Sequence, residues 1–131
     1  MIFLHSIIKS LPLHMVLALA RNKYDYMGNG LLHIATMYGR HDIVKYIVEN
    51  KIGDVNSKNL FDQTPLHFSV KRNQYFVTSI LLRNGANTNI PDFEGWPPLL
   101  YSKNENITDL LEWFGADCYF QHGTKLHLIN C

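Results

Sequence analysis

Apolar residues recur along the chain at helical spacing. Ile43, Val44, Ile47 and Val48 fall on one helix face, with Lys45 and Glu49 an i,i+4 pair on its wet side. Val77, Ile80, Leu81 and Leu82 make a second such stripe, and Ile107, Leu110 and Leu111 a third. Ser10 and Pro12 can start an earlier one through Met15, Val16 and Leu19. These stripes end at Arg21-Asn22, Asn84-Gly85-Ala86 and Gly115-Ala116-Asp117, where Gly85 can take the left-handed conformation that closes a helix. A shorter apolar stretch precedes each stripe: Leu4-His5-Ser6-Ile7-Ile8, then Leu31-Leu32-His33-Ile34-Ala35 up to the break at Gly39, then Leu66-His67-Phe68-Ser69. The pattern predicts short helices in pairs.

The pairs are periodic. His33 to His67, Gly39 to Asn73 and Ile43 to Val77 are each 34 residues apart, while Leu66 to Leu99 and Asn56 to Asn89 are 33. The extra residue falls in Lys51-Ile52-Gly53-Asp54, a loop, where an insertion costs little. Inside a helix the same slip would turn the apolar face by about 100°. The best-formed copy opens Gln63-Thr64-Pro65-Leu66-His67-Phe68-Ser69. Thr64 can cap a helix, and Pro65 suits its first turn because the missing N–H would have had no partner there. Leu66 then points inward, and His67 can spend its ring nitrogens on neighbouring backbone.

Thr-Pro-Leu-His at a period of about 33 residues resembles the ankyrin repeat. The resemblance is strongest over Gln63 to Asn89, good over Asp25 to Asn56 and weak at both ends. It implies an all-α fold, an ankyrin-repeat solenoid of helix-turn-helix units with hairpin-like finger loops. Residues 1–24 would be a degenerate N-terminal cap repeat, 25–58 and 59–91 repeats, 92–118 a shortened repeat and 119–131 an incomplete C-terminal repeat. In 92–118 Pro97-Pro98-Leu99-Leu100 stands in place of Thr-Pro-Leu-His. Gly85 to Gly115 spans only 30 residues, so a short first helix and a polar loop through Ser102, Asn104 and Asn106 are expected. His122-Gly123-Thr124-Lys125-Leu126-His127 resembles the opening of a further unit.

The resemblance also places function. Finger loops and first helices of such arrays line a concave binding surface. By position the fingers are Asp25-Tyr26-Met27, Asn59-Leu60-Phe61-Asp62 and Asp92-Phe93-Glu94-Gly95-Trp96. The expected partner-binding residues are Tyr26, Met27, Leu60, Phe61, Phe93 and Trp96 on the fingers, with Met37, Tyr38, Lys71 and Arg72 on the first helices. Apolar groups exposed once per repeat need a cover, and aromatic rings commonly anchor interfaces. The alternative is that each ring folds back onto the next finger. Asp62 stands where glycine is usual, as turn strain or as a partner contact.

Composition narrows the field. The chain has 131 residues, 47% of them hydrophobic, and a net charge of +1, which suits one globular domain and gives no electrostatic case for nucleic acid. Cys118 and Cys131 match no metal spacing, leaving either two thiols or one disulfide. Among the seven histidines, His33 and His67 take the family's structural position, His5 and His127 echo it, and His14, His41 and His122 are scattered without ligand spacing. Met1 to Ala20 lacks a basic start and is interrupted by His5, Lys9, Pro12 and His14, so a helical cap is expected there in preference to a secretory signal. No phosphate loop or nucleophile motif occurs. The expectation is therefore a non-enzymatic monomer in the cytoplasm, and also the nucleus, with no metal or cofactor and no membrane or nucleic-acid partner. It would bind another protein. A short divergent array also resembles viral or parasite-encoded inhibitors of Rel-type (NF-kappa-B) transcription factors. The alternative is a fragment of a larger scaffold, channel or ubiquitin-ligase adaptor.

Overall fold

The computed structural model describes residues 2–122 and 125–128, with side chains over 3–118. Helix α1 (Ile2–Ser10) packs on α2 (Leu13–Ala20), α3 (Leu31–Met37) on α4 (His41–Glu49), and α5 (Pro65–Lys71) on α6 (Tyr75–Arg83). A single 3₁₀ turn, Pro98–Tyr101, precedes α7 (Glu105–Trp113). None of these helices exceeds nine residues, too short to persist alone in water. Packing in two layers holds them. The inner layer runs α1, α3, α5 and the 3₁₀ turn, each touching the next, and α4, α6 and α7 follow one another in the outer layer.

The stripes read from the sequence supply the core. Ile43, Val44, Ile47, Val48, Val77, Leu81, Leu82, Ile107 and Leu111 are buried, while Ile80 and Leu110 are only partly so. Leu4, Ile8, Val16 and Ala20 carry the same core into the first helix pair. Thr64 caps α5 by accepting the His67 N–H, and Asn104 caps α7 by accepting that of Asn106 at 2.7 Å. Arg40 joins the first two pairs. Its guanidinium donates to the carbonyls of Ile8 (2.8 Å) and Leu11 (2.9 Å), satisfying the exposed end of α1, and is itself held by the Asp42 carboxylate.

Some expectations are corrected. Lys45 and Glu49 are exposed but form no ion pair; among the described residues the ion pairs are His5–Asp25 and Arg40–Asp42. An exposed pair gains too little to immobilise two long side chains. Of the two alternatives left open for the cysteines, Cys118 takes the disulfide; Cys131 lies outside the described residues. Strands β1 (Tyr119–His122) and β2 (Lys125–Leu128) pair antiparallel, with Tyr119 opposite Leu128 and His122 opposite Lys125. Leu126 and His127 are thus extended, where the earlier Leu-His pairs are helical, and the expected unit opening at Gly123-Thr124 falls outside the described residues.

Candidate protein-binding surface

Three five-residue loops share one geometry. Each opens on a buried acceptor side chain, Asp25, Asn59 or Asp92. Its Oδ1 accepts the backbone N–H groups two and four residues on: Met27 and Asn29 at 2.9 Å each, Phe61 at 2.9 Å and Gln63 at 3.0 Å, Glu94 and Trp96 at 3.0 Å each. The backbone N–H of the same residue donates to the carbonyl of the fifth, closing the loop. The fourth position is left-handed in every case: Gly28 at φ 78°, Asp62 at 57° and Gly95 at 85°. That leaves the second residue at the tip. Tyr26 is 84% exposed, Leu60 73% and Phe93 59%.

The loops are tied into a ladder. Leu60 N–H donates to the Met27 carbonyl and Phe93 N–H to that of Phe61, both at 3.0 Å. Asn59 Nδ2 donates to Asn29 Oδ1 (2.9 Å) and Gln63 Oε1 (2.8 Å), and Asn29 Nδ2 to Asp25 Oδ2 (3.0 Å). Gly28 is required twice over. Besides its positive φ, a Cβ there would lie 2.9 Å from Leu60 Cγ and 3.0 Å from the Leu60 nitrogen.

The inner helices hold the ladder from below. His33 Nε2 donates to the Gln63 carbonyl at 2.8 Å and His67 Nε2 to that of Trp96 at 2.9 Å, each reaching the next loop. Their Nδ1 atoms accept from the Gly30 and Thr64 N–H groups, which fixes the tautomer. Burial pushes both imidazoles below the ordinary histidine value, so they serve as neutral struts. Burial works against ionised Asp25, but hydrogen bonds from His5, Asn29 and Met27 outweigh it and hold the carboxyl below its usual range. The Tyr101 hydroxyl donates to Asp92 Oδ2; burial, then that hydrogen bond and the Asp92 charge, push the phenol far up.

The predicted site residues divide. Tyr26, Leu60 and Phe93 form one exposed row, and Phe61 lies behind it, its ring 5.5 Å from that of Phe93. Met27 is only half exposed. Trp96 is half-buried at the return of its loop, the position of Asn29 and Gln63, and so is not a tip. Met37 is half-buried, while Tyr38, Lys71 and Arg72 stand exposed at the ends of α3 and α5. His5 does not repeat the buried role of His33: it is partly exposed and lies between Asp25 Oδ2 (2.8 Å) and the Tyr38 hydroxyl (2.9 Å). Sequence reasoning missed Tyr101 and the Asp25, Asn59, Asp92 set, although an acceptor at intervals of 34 and 33 was the available signal. Among the described residues no three His, Cys, Asp or Glu converge as a metal site, and no helix is long and apolar enough to cross a membrane.

A sequence profile of ankyrin repeats, in three copies, matches residues 32–122. The chain belongs to the ankyrin-repeat family. Its architecture is the repeat solenoid, and the family is a non-catalytic fold that binds protein partners. Similar proteins include alpha-latrocrustotoxin-Lt1a of Latrodectus tredecimguttatus, 38% identical over 55% of this chain and 5% of that protein. An ankyrin repeat protein of fowlpox virus is 33% identical over 66% of this chain and 26% of its own length. NF-kappa-B inhibitor alpha of Rattus norvegicus is 32% identical over 72% of this chain and 31% of its own. The chain thus spans between 5% and 31% of these relatives.

Proposed function

We propose that this ankyrin-repeat chain grips a partner protein with its finger row and the adjoining inner-helix face, and catalyses nothing. One observation carries the proposal: Tyr26, Leu60 and Phe93 are exposed in register on a hydrogen-bonded ladder. A mobile loop could turn its apolar side chain inward, but these loops are fixed by their own Asx bonds. These apolar side chains are therefore presented at a standing cost that a partner would remove. Phe61, Met27 and Trp96 form the floor behind the tips, and Met37, Tyr38, Lys71 and Arg72 continue the surface onto the helices.

The partner favoured is a Rel-type transcription factor, with the chain a viral or parasite-encoded monomeric inhibitor acting in the cytoplasm and the nucleus. Likeness to both an NF-kappa-B inhibitor and a fowlpox ankyrin protein supports this. A second proposal has the chain as part of a larger scaffold, channel or ubiquitin-ligase adaptor, favoured by the small share of its relatives that it spans. Titration calorimetry of the chain against a purified Rel homology domain tests the specific partner, and Tyr26→Ser, Leu60→Ser, Phe93→Ser tests the surface. Micromolar or tighter binding, lost in the triple variant while its circular dichroism melt is unchanged, is the expected result. Absence of binding refutes the Rel assignment, and binding indifferent to the triple variant refutes the finger row.

A further inference from the structure

The chain is almost neutral, yet its inner elements carry no acid. The helices α1, α3 and α5 and the 3₁₀ turn contain no aspartate or glutamate, nor do α2 and α6, so the helical acids are confined to α4 (Asp42 and Glu49, beside Lys45) and α7 (Glu105, Asp109 and Glu112). At the C-terminal ends of the inner elements stand Lys9, Lys71, Arg72 and Lys103, all exposed. None is in an ion pair among the described residues. Two of them lie against aromatic rings on the same face: Lys9 Nζ is 5.8 Å from the Tyr38 ring centre and Lys71 Nζ 5.1 Å from that of Tyr101. The carboxylates of Asp25 and Asp92 are buried and committed to their loops, which leaves Asp62 and Glu94 at the fingers as the exposed acids nearby in sequence.

From this distribution we infer that the inner-helix face takes an acidic, extended peptide segment of the partner, its carboxylates on Lys9, Lys71, Arg72 and Lys103 and an apolar side chain between them at Met37 and Tyr38. The inference rests on the finger-row reading and names the chemistry that its partner brings. Charge complementarity selects the occupant, because exposed cations at the ends of successive inner elements, none in an ion pair among the described residues, favour an anion and disfavour a basic segment. A polyanionic nucleic acid fits less well, since the chain's net charge is only +1 and Asp62 and Glu94 stand exposed on the fingers. Successive packed helices lie roughly 10 Å apart, so an extended segment at about 3.3 Å per residue advances about three residues per unit. Lys9 and Lys71 lie two units apart with Tyr38 between them. The segment should therefore read acid, then an apolar residue about three positions on, then acid again.

Panning a displayed library of random dodecapeptides on the whole chain tests this, followed by fluorescence anisotropy of the leading peptide. Enrichment of aspartate and glutamate around an aromatic or aliphatic residue is expected. Affinity should fall about tenfold or more for Lys71→Glu, Arg72→Glu and less for Lys71→Gln, Arg72→Gln, and should weaken with added salt. Circular dichroism melts of both variants check that the fold is kept. Neutral or basic consensus peptides, an affinity within about twofold of wild type after charge reversal, or preference for heparin or an oligonucleotide over every peptide would each overturn the inference. If charge reversal spares binding that Tyr26→Ser, Leu60→Ser, Phe93→Ser abolishes, the finger row stands and the acidic segment falls. If neither set of changes matters, both fall.

Discussion

Asn59 is the residue on which the ladder converges, and its removal should show how much the ladder is worth. Its side chain makes four hydrogen bonds: Oδ1 takes the Phe61 and Gln63 N–H groups, and Nδ2 serves Asn29 Oδ1 and Gln63 Oε1. The residue is 6% exposed, so water cannot fully replace these partners. At about 1 kcal/mol net per bond, offset where Gln63 reaches solvent, Asn59→Ala should cost roughly 2–4 kcal/mol. Asn59→Asp is the informative control. It keeps both acceptor bonds, as Asp25 and Asp92 do at the equivalent positions, and loses the two donated ones. Its cost should be roughly half as large, because the Gln63 amide can turn a donor toward the new oxygen, while Asn29 is held by its bond to Asp25. Urea unfolding followed by circular dichroism measures both. Equal losses for the two variants, or less than about 1 kcal/mol for alanine, would mean that the Asx bonds are incidental to stability.

The remaining expectations are independent of that network. Leu66→Ala should cost about 2–5 kcal/mol, since the side chain is 1% exposed between α5 and its neighbours, and an unchanged urea midpoint would remove Leu66 from the core. Asp62→Gly should stabilise by roughly 0.5–1 kcal/mol because Asp62 sits at φ 57°, where glycine has no Cβ penalty; a lower melting temperature would show that its carboxylate does more than fill the turn. His33 and His67 are held neutral when folded, with values below the ordinary 6.5. Their contribution is full above about pH 6.5, where the unfolded chain is also neutral, and is lost as pH falls through the folded values. The urea midpoint should hold from about pH 8 to 6.5 and drop by about pH 5, and a flat profile over that span would refute the buried-strut role.

The helices were legible because their cause is local. A stripe such as Ile43, Val44, Ile47, Val48 can be buried only by a helix, and Gly85 and Gly115, at φ 93° and 97°, mark where two of the helices end. The shortening before Ile107 was legible too, as a count of residues, and the structure meets it with a 3₁₀ turn ending at Tyr101. The fingers were legible only in outline. A loop position alone does not fix exposure: in each five-residue Asx loop the second residue is fully outward, the third varies from half-buried Met27 to exposed Phe61 and Glu94, and the fifth turns in. Tyr26, Leu60 and Phe93 stand out fully, Phe61 remains partly exposed, and Met27 and Trp96 are half-buried.

His5 shows the limit most clearly. Its Leu-His setting copies that of His33, but His5 to His33 is only 28 residues, so the first unit lacks the length that brings His33 and His67 under the next carbonyl. The ring instead meets Asp25 Oδ2, the atom that the first loop's Asx bonds leave over. Every loop has one such spare atom, and each spends it differently. Asp25 Oδ2 goes to His5 and Asn29, Asn59 Nδ2 to Asn29 and Gln63, and Asp92 Oδ2 to Tyr101. The first atom of each side chain follows from the turn alone, so a repeated acceptor predicts it. The second depends on which side chain happens to stand opposite: Asn29, Gln63 and Tyr101 come from the loop's own repeat, while His5 reaches Asp25, and Asn29 reaches Asn59, from the preceding one. The Asx bonds and backbone rungs that set the finger row upright are thus written in what the repeats share, and only the spare side-chain atom of each loop is written in their differences.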